Sequence, residues 1–496
     1  MQSLPIDPHL PEISKIIQES NCLILEAPPG TGKTTRVAPS LLDVPQLSGS
    51  IALIQPRRIA ARAAATRIAQ ERGCNIGSLI GYQVRFDSQC GPNTRLLSMT
   101  PGILLRRLQS DPLLESFSAI VLDEFHERSQ EMDLLLGMIR QVQTEFRPEL
   151  RILVMSATLD SESIVMYLNL PPILKIAAIN YPVDIRYNRF ETPNTRVSPT
   201  RRIIDATVEA IERAGKEQQG DVLAFLPGVG EIMQVRSQLQ PTADRHAWDL
   251  LTLYGDMTAA DQDQVLQPSA KRRVILATNV AETSLTIDGV RIVIDSGWAR
   301  VKRFDPATGL DELRLEPISQ ASANQRAGRA GRTAPGVCYR LWDEITGRSR
   351  PMQLEPEVLR TDLASAVLQL LSWGQKPEQF SWLTRPSDDA FKQARNVLTY
   401  LGAVHGDGLT DLGRTLLKFP VHPRLARLLV AAHELEIPTA GAMAAALLSE
   451  RDLFMKPQAD RGRPRGPTPH TSARNWSCDI TRKVLVAESI PARQSR

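Results

Sequence analysis

The sequence predicts an α/β fold in which two tandem parallel-sheet domains precede a smaller helical region. Three observations lead there. An apolar run, CLIL at 22–25, leads through a glycine-rich loop into a segment of helical spacing. Short apolar runs separated by helical stretches start again near Val222. The chain's 496 residues also exceed what one hydrophobic core organises, at roughly 100–200 residues per domain. The hydrophobic content of 42% is that of a globular chain and argues against global disorder.

The net charge of +4 hints at an anionic partner, but its position matters. Between Lys456 and Arg496, nine Lys and Arg stand against three Asp and Glu, so this tail carries +6 and residues 1–455 carry −2. A nucleic-acid reading must therefore rest on motifs. Five cysteines (Cys22, Cys74, Cys90, Cys338, Cys478) are scattered without metal-ligand spacing, pointing away from a disulfide framework or metal cluster and toward a reducing compartment. The N-terminus has no basic stretch followed by an apolar one, and the longest apolar stretch, 437–448, falls short of the ~18 residues a membrane span needs. A cytoplasmic protein with no membrane partner is expected.

The loop APPGTGKTT places Ala27, Pro28, Pro29, Gly30, Thr31, Gly32, Lys33, Thr34 and Thr35 between a strand and a helix, the context of a phosphate-binding loop. Gly30 and Gly32 let backbone N–H groups turn inward, Lys33 reaches the β and γ phosphates, and the Thr34 hydroxyl suits Mg²⁺. Ala27 stands where a glycine is usual, at the strand exit and away from the γ-phosphate. The second half of such a site is an acidic pair ending a buried strand, and AIVLDEFHER supplies it. Asp123 would hold Mg²⁺ through water, and Glu124 would bind near the metal and polarise the attacking water. His126 reads as a link from this site to the other domain. A third apolar strand ends in Ser156, Ala157 and Thr158, where parallel strand tips converge.

From 182 to 220 the chain reads as polar and broken. The second domain then begins with the run 222–226 and continues through 274–277 into TNVAETSLTI, but it has no glycine-lysine loop of its own. Its contribution to phosphate chemistry is expected from QRAGRAGR, where Arg326, Arg329 and Arg332 recur every three residues and Arg329 and Arg332 share a helical face. An arginine brought in by a second domain accelerates hydrolysis by about 10³–10⁵ and ties it to domain closure. Alternation at 298–304 and 310–317 around a turn predicts a β-hairpin, either a projecting wedge or a sheet edge.

In this order APPGTGKTT, QPRRIAA, TPGILLRRL, DEFH, SAT, TNVAETSLTI and QRAGRAGR resemble superfamily 2 DEAH/RHA-type helicases; DEFHERS and FLPGVGEI look like the bacterial HrpB type within it. The resemblance spans about 4–453. It implies two RecA-like domains (1–178 and 179–350, the second with the hairpin), a winged-helix domain (351–413), a partial helical ratchet domain (414–455) and a basic, disordered tail (456–496). It also implies ATP and Mg²⁺, with other nucleotides accepted, and Gln325, Arg329 and Arg332 as γ-phosphate contacts. Arg57, Arg58, Thr100, Thr278, Asn279 and Thr283 fall on backbone-binding motifs for single-stranded nucleic acid, RNA ahead of DNA. Phosphate and sugar contacts position a strand without reading its bases. Relatives hold the base between an arginine, matched by Arg67, and an aromatic, replaced here by Leu266, so nucleotides should be poorly discriminated.

The family pattern stops at Asp452, and a truncated or frameshifted chain is the expectation. A monomeric helicase moving 3′ to 5′ is the favoured reading. A nucleotide-driven clamp or remodeller that does not unwind is the alternative.

Overall fold

Short apolar runs become strands buried on both faces, as helix-covered parallel sheets require. The computed structural model describes residues 3–157, 161–177, 181–188, 198–255, 257–282, 287–305 and 309–449; Thr158, Thr283 and the tail at 456–496 lie outside the described residues.

The first sheet contains β1 (Cys22–Glu26), β2 (Ser50–Ile54), β3 (Ile80–Val84), β4 (Asp87–Gln89), β5 (Leu96–Met99), β6 (Phe117–Leu122), β7 (Arg151–Ser156) and β8 (Ile173–Lys175). Their order is β4-β3-β5-β2-β6-β7-β1-β8, and every pairing is parallel except β3 with β4. The C-terminal ends of β5, β2, β6, β7 and β1 therefore stand side by side. Leu23, Leu25, Ile51, Leu53, Val121 and Leu153 pack one face against Ile13 and Ile17 of helix Leu10–Glu19 and Ala61, Ala65 and Ile68 of helix Arg58–Glu71.

Eight strands follow with no loop-lysine motif among them: β9 (Val183–Tyr187), β10 (Asp221–Phe225), β11 (Asp249–Leu253), β12 (Arg273–Ala277), β13 (Val290–Asp295), the hairpin strands β14 (Trp298–Asp305) and β15 (Leu310–Pro317), and finally β16 (Gly336–Arg340). Six form a second, wholly parallel sheet, β11-β12-β10-β13-β16-β9. Strand periodicity sorts its side chains into two cores. Val222, Ala224, Val274, Leu276, Ile292 and Ile294 enter one, while Leu223, Phe225, Ile275, Ala277 and Val293 enter the other.

The region expected to be broken, 182–220, holds β9 and a long helix, Pro199–Glu217. Ser198 caps that helix by accepting from Arg201 N–H, Pro199 starts it, and Ile203, Ile204, Thr207, Ala210, Ile211 and Ala214 form its buried stripe. Its many charged residues belong to the opposite face, which hid the stripe in a linear reading. The predicted hairpin is antiparallel, from Trp298 opposite Pro317 to Asp305 opposite Leu310. It forms its own two-stranded sheet, so the sheet-edge alternative falls.

Residues 1–361 and 381–385 form one unit containing both large sheets, and 362–380 and 386 onward form another. The second unit is helical: Ala364–Ser372, Asp388–Tyr400, Asp411–Leu417, Pro423–Glu434 and Pro438–Ser449, with the two-residue strands β17 (Val404–His405) and β18 (Gly408–Leu409). Val367, Leu370, Phe391, Leu398 and Leu416 are buried. Among the described residues no helix is long and apolar enough to cross a membrane, and no three His, Cys, Asp or Glu side chains are grouped to hold a metal ion. Cys22, Cys74, Cys90 and Cys338 are free thiols.

Candidate nucleotide and nucleic-acid site

The loop after β1 turns through two left-handed glycines, Gly30 and Gly32, both at φ +90°. A Cβ at Gly30 would meet nothing within 4 Å, so its backbone is open to approach, whereas one at Gly32 would stand 2.6 Å from Leu4 Cδ1. The N-terminal segment thus seals one side of the loop. Ile6 N–H donates to the Thr31 carbonyl, and the Thr31 hydroxyl donates to the Pro28 carbonyl at 2.8 Å. Ala27 is wholly buried in the first core, which explains a methyl group there. A wide π-type turn, Lys33–Val37, starts the following helix and includes Thr34 and Thr35.

The first-domain charges converge at adjoining strand tips. Lys33, 3% exposed, holds its ammonium 3.3 Å from the Glu124 carboxylate and 3.5 Å from the Ala27 carbonyl. The Thr34 hydroxyl donates to Asp123 Oδ2 at 2.5 Å, and Gln55 Nε2 donates to the same oxygen at 2.8 Å. Burial and the neighbouring Glu124 carboxylate push Asp123 up to about 6. For Glu124 burial acts the same way, but the Lys33 ammonium outweighs it and holds the carboxyl below its usual range. A hydroxyl and a carboxylate oxygen converging beside a lysine are the donor set a hard divalent cation and its phosphate ligands use. The residues therefore fit Mg²⁺-nucleotide.

His126 lies in the one-turn helix after Glu124. Its Nδ1 accepts from Ala157 N–H at 3.3 Å and its Nε2 lies 3.5 Å from Glu124 Oε2. Accepting at Nδ1 demands a neutral ring, and burial pushes its pKa below the usual histidine value. Ser156 is buried at the β7 tip, its carbonyl accepting from Ala27 N–H. Together these contacts join the three strand ends.

The arginines of the second domain divide by role. Arg326, fully buried, donates to Glu282 at 3.0 Å and Asp295 at 2.8 Å and lies over the Phe225 ring. It faces the core of its own domain. Arg329, 4% exposed, donates from Nε to the Glu282 carbonyl at 2.9 Å. Burial and the Arg332 charge press its pKa well down, while Glu124 opposes that shift. Burial likewise pushes Arg332 to about 10, again against the pull of Glu124. Guanidinium groups keep their protons, so these shifts express chiefly the cost of burying charge, which Glu124 partly offsets. Gln325 is partly buried on helix Gln320–Gly328.

Of the expected strand contacts, Arg57 bridges the domains. It donates to Glu127 at 3.2 and 3.3 Å and to the Asn279 carbonyl at 2.9 Å. Beside it, Ile59 and Ala63 pack against the second-domain cluster that includes Val280, Ala281 and Ala327. Arg58 and Asn279 are exposed, and Thr100 starts helix Pro101–Ser110 without its hydroxyl capping it. Thr278 ends β12's continuation and is 9% exposed. Arg67 is paired with Glu71 at 2.7 Å on an exposed face, and the Leu266 side chain lies outside the described residues. Gln55, Glu127 and Glu282 were not singled out by the sequence. For Gln55 a signal existed, a polar residue immediately after the buried strand SIALI.

The DEAD/DEAH box helicase family matches residues 10–166, and the helicase conserved C-terminal domain matches 203–334. The chain belongs to the DEAD/DEAH-box helicases. It is 40% identical over 455 residues to the Escherichia coli (strain K12) protein named ATP-dependent RNA helicase HrpB, covering 91% of this chain and 55% of that relative. It is 38% identical over 441 residues to the ATP-dependent RNA helicase HrpA homolog of Haemophilus influenzae, covering 87% of this chain and 33% of the relative. The crystal structure of Escherichia coli DEAH/RHA helicase HrpB aligns with a TM-score of 0.85 at 36% identity, covering 99% of this chain and 61% of that one. This helicase-family chain thus spans about half, or less, of the length of the curated relatives it matches.

Proposed function

We propose that this chain hydrolyses ATP in a strand-stimulated manner and uses the cycle to move along and open RNA. The observation that supports it most is the convergence of Lys33, Thr34, Asp123 and Glu124 at adjoining strand tips, with Arg329 and Arg332 of the second domain electrostatically coupled to Glu124. Mg²⁺, when bound with the nucleotide, would supply charge neutralisation to the phosphates. Thr34 and Asp123, already joined by a hydrogen bond, would hold it. Lys33 turns from Glu124 to phosphate oxygen, and the released Glu124 carboxylate orients the attacking water. Gln325, Arg329 and Arg332 stabilise the charge that develops, which makes turnover depend on closure of the two domains.

Arg57 links that closure to the strand, because its guanidinium already spans Glu127 and Asn279. With Arg58, Thr100, Thr278, Asn279 and Thr283, it would grip phosphate and sugar. RNA is favoured over DNA because the relatives are named RNA helicases. The hairpin β14–β15 is the wedge candidate, and the helical unit would supply the winged-helix and ratchet elements.

Hydrolysis measured with matched single-stranded RNA and DNA, followed by displacement of a duplex with a 3′ overhang, tests the reading. Stimulation by RNA together with displacement is expected. Stimulation without displacement would favour the clamp or remodeller, and no stimulation would defeat both.

A further inference from the structure

Glu357, outside every motif of the site, touches both the turn that carries Glu124 and the middle of the hairpin strand β14. Its main-chain N–H donates to the Arg128 carbonyl at 3.0 Å, and its carboxylate accepts from Gln130 N–H at 3.0 Å. The same carboxylate lies 3.9 Å from Lys302 Nζ on β14. Its neighbours hold the hairpin as well. Phe304 N–H donates to the Arg360 carbonyl at 2.8 Å, the Arg360 guanidinium donates to the Lys302 carbonyl, and Arg303 pairs with Glu355 at 2.8 Å.

On the other side, the turn Phe125–Glu127 is framed by two non-glycine residues in the left-handed region, Glu124 at φ 50° and Arg128 at φ 46°. Such a conformation is strained for a residue that carries a Cβ and persists only where its surroundings enforce it. Arg128 is enforced by a two-pronged pair with buried Asp133, at 2.8 and 2.9 Å, and by a 2.8 Å bond to Thr384. Glu357 completes the grip on its carbonyl. Four residues of chain therefore separate the hairpin's anchor from the water-orienting carboxylate.

We infer that Glu357 is a positioning residue that couples the placement of the hairpin to the backbone turn holding Glu124, so that strain on the hairpin is felt at the hydrolytic site. This rests on the helicase reading above. A purely structural pin would stabilise both sides without transmitting between them, and the difference is measurable.

Glu357→Gln keeps an acceptor for Gln130 N–H and loses the pull on Lys302; Glu357→Ala loses both. In the full chain, Glu357→Ala should leave strand-free hydrolysis within about twofold and lower strand stimulation about three- to tenfold, with Glu357→Gln in between. Lys302→Met should lower stimulation by a similar factor, and the double variant should add little to either single one. Amide exchange gives a readout independent of turnover: Lys302→Met should speed exchange in residues 125–133. Multiplicative losses in the double variant, or unchanged exchange in that turn, would overturn the coupling. Absence of strand-stimulated hydrolysis in the unaltered chain would instead overturn the helicase reading, with the exchange measurement still deciding the link.

Discussion

Asp123 and Asp295 each follow or end a central strand of their own sheet, and both are completely inaccessible to solvent, yet their partners are of opposite kinds. Asp295 accepts from the Arg326 guanidinium at 2.8 Å and from Gly297 N–H at 2.9 Å, so its charge is met within its own domain. Asp123 accepts from the neutral Thr34 hydroxyl and Gln55 amide at Oδ2 and from Glu124 N–H at Oδ1, which satisfy its oxygens without cancelling its charge. A buried carboxylate with only neutral donors carries an electrostatic cost that a bound cation relieves, whereas one with an arginine is finished. The arginines show the same division, Arg326 being spent on its own fold and Arg329 and Arg332 facing the other domain's carboxylate.

The largest effects should fall on the unbalanced side. Arg329→Ala should lower kcat by about 10³-fold or more with little change in unfolding midpoint, while Arg326→Ala should cost about 3–5 kcal/mol of stability because Asp295 and Glu282 lose their cation. Steady-state hydrolysis and denaturant unfolding of the two variants would break the comparison if their effects were exchanged. Lys33→Ala and Glu124→Gln should each reduce turnover by about 10²–10³-fold. Normal turnover in Glu124→Gln would remove that residue from its role.

Asp123→Asn should lose Mg²⁺-dependent turnover without destabilising the ligand-free protein, whereas Asp295→Asn should lose stability by up to about 3–5 kcal/mol. The pH dependence sharpens this. With a folded-state value near 6, against an ordinary 3.8, Asp123 contributes stability fully present below 3.8 and lost as pH rises through about 6. Metal binding requires the ionised form, so KM for Mg²⁺-nucleotide should rise by up to about tenfold per unit as pH falls below 6. A flat KM between pH 5 and 7 would contradict it. The smallest effect concerns the base: kcat/KM for ATP, GTP, CTP and UTP should agree within about tenfold, since Arg67 is exposed and paired with Glu71.

Legibility followed locality. The phosphate loop, the acidic pair and the hairpin could be read from the chain because each depends on residues a few positions apart and on strand periodicity. Helix Pro199–Glu217 was missed, although its cap and buried stripe are present, because charged residues outnumber the stripe in a linear scan. Glu127 and Glu282 had no local pattern to announce them, and the polar position of Gln55 after a buried strand did not name its partner; each acts on a partner 40 or more residues away. Arg326 shows the limit most sharply, since its spacing from Arg329 and Arg332 did not reveal that it is bound to Asp295 and Glu282.

By itself, then, the sequence determined the α/β class, the family and the kinds of side chain at each strand tip, because loop chemistry and apolar periodicity are local properties. Tertiary structure decided which charges are cancelled. Strand order places Gln55 and Thr34 on Asp123 and Arg326 on Asp295, and it brings Glu357 between the Glu124 turn and the hairpin. The net electrostatics of a buried group depends on neighbours that only the folded chain assembles.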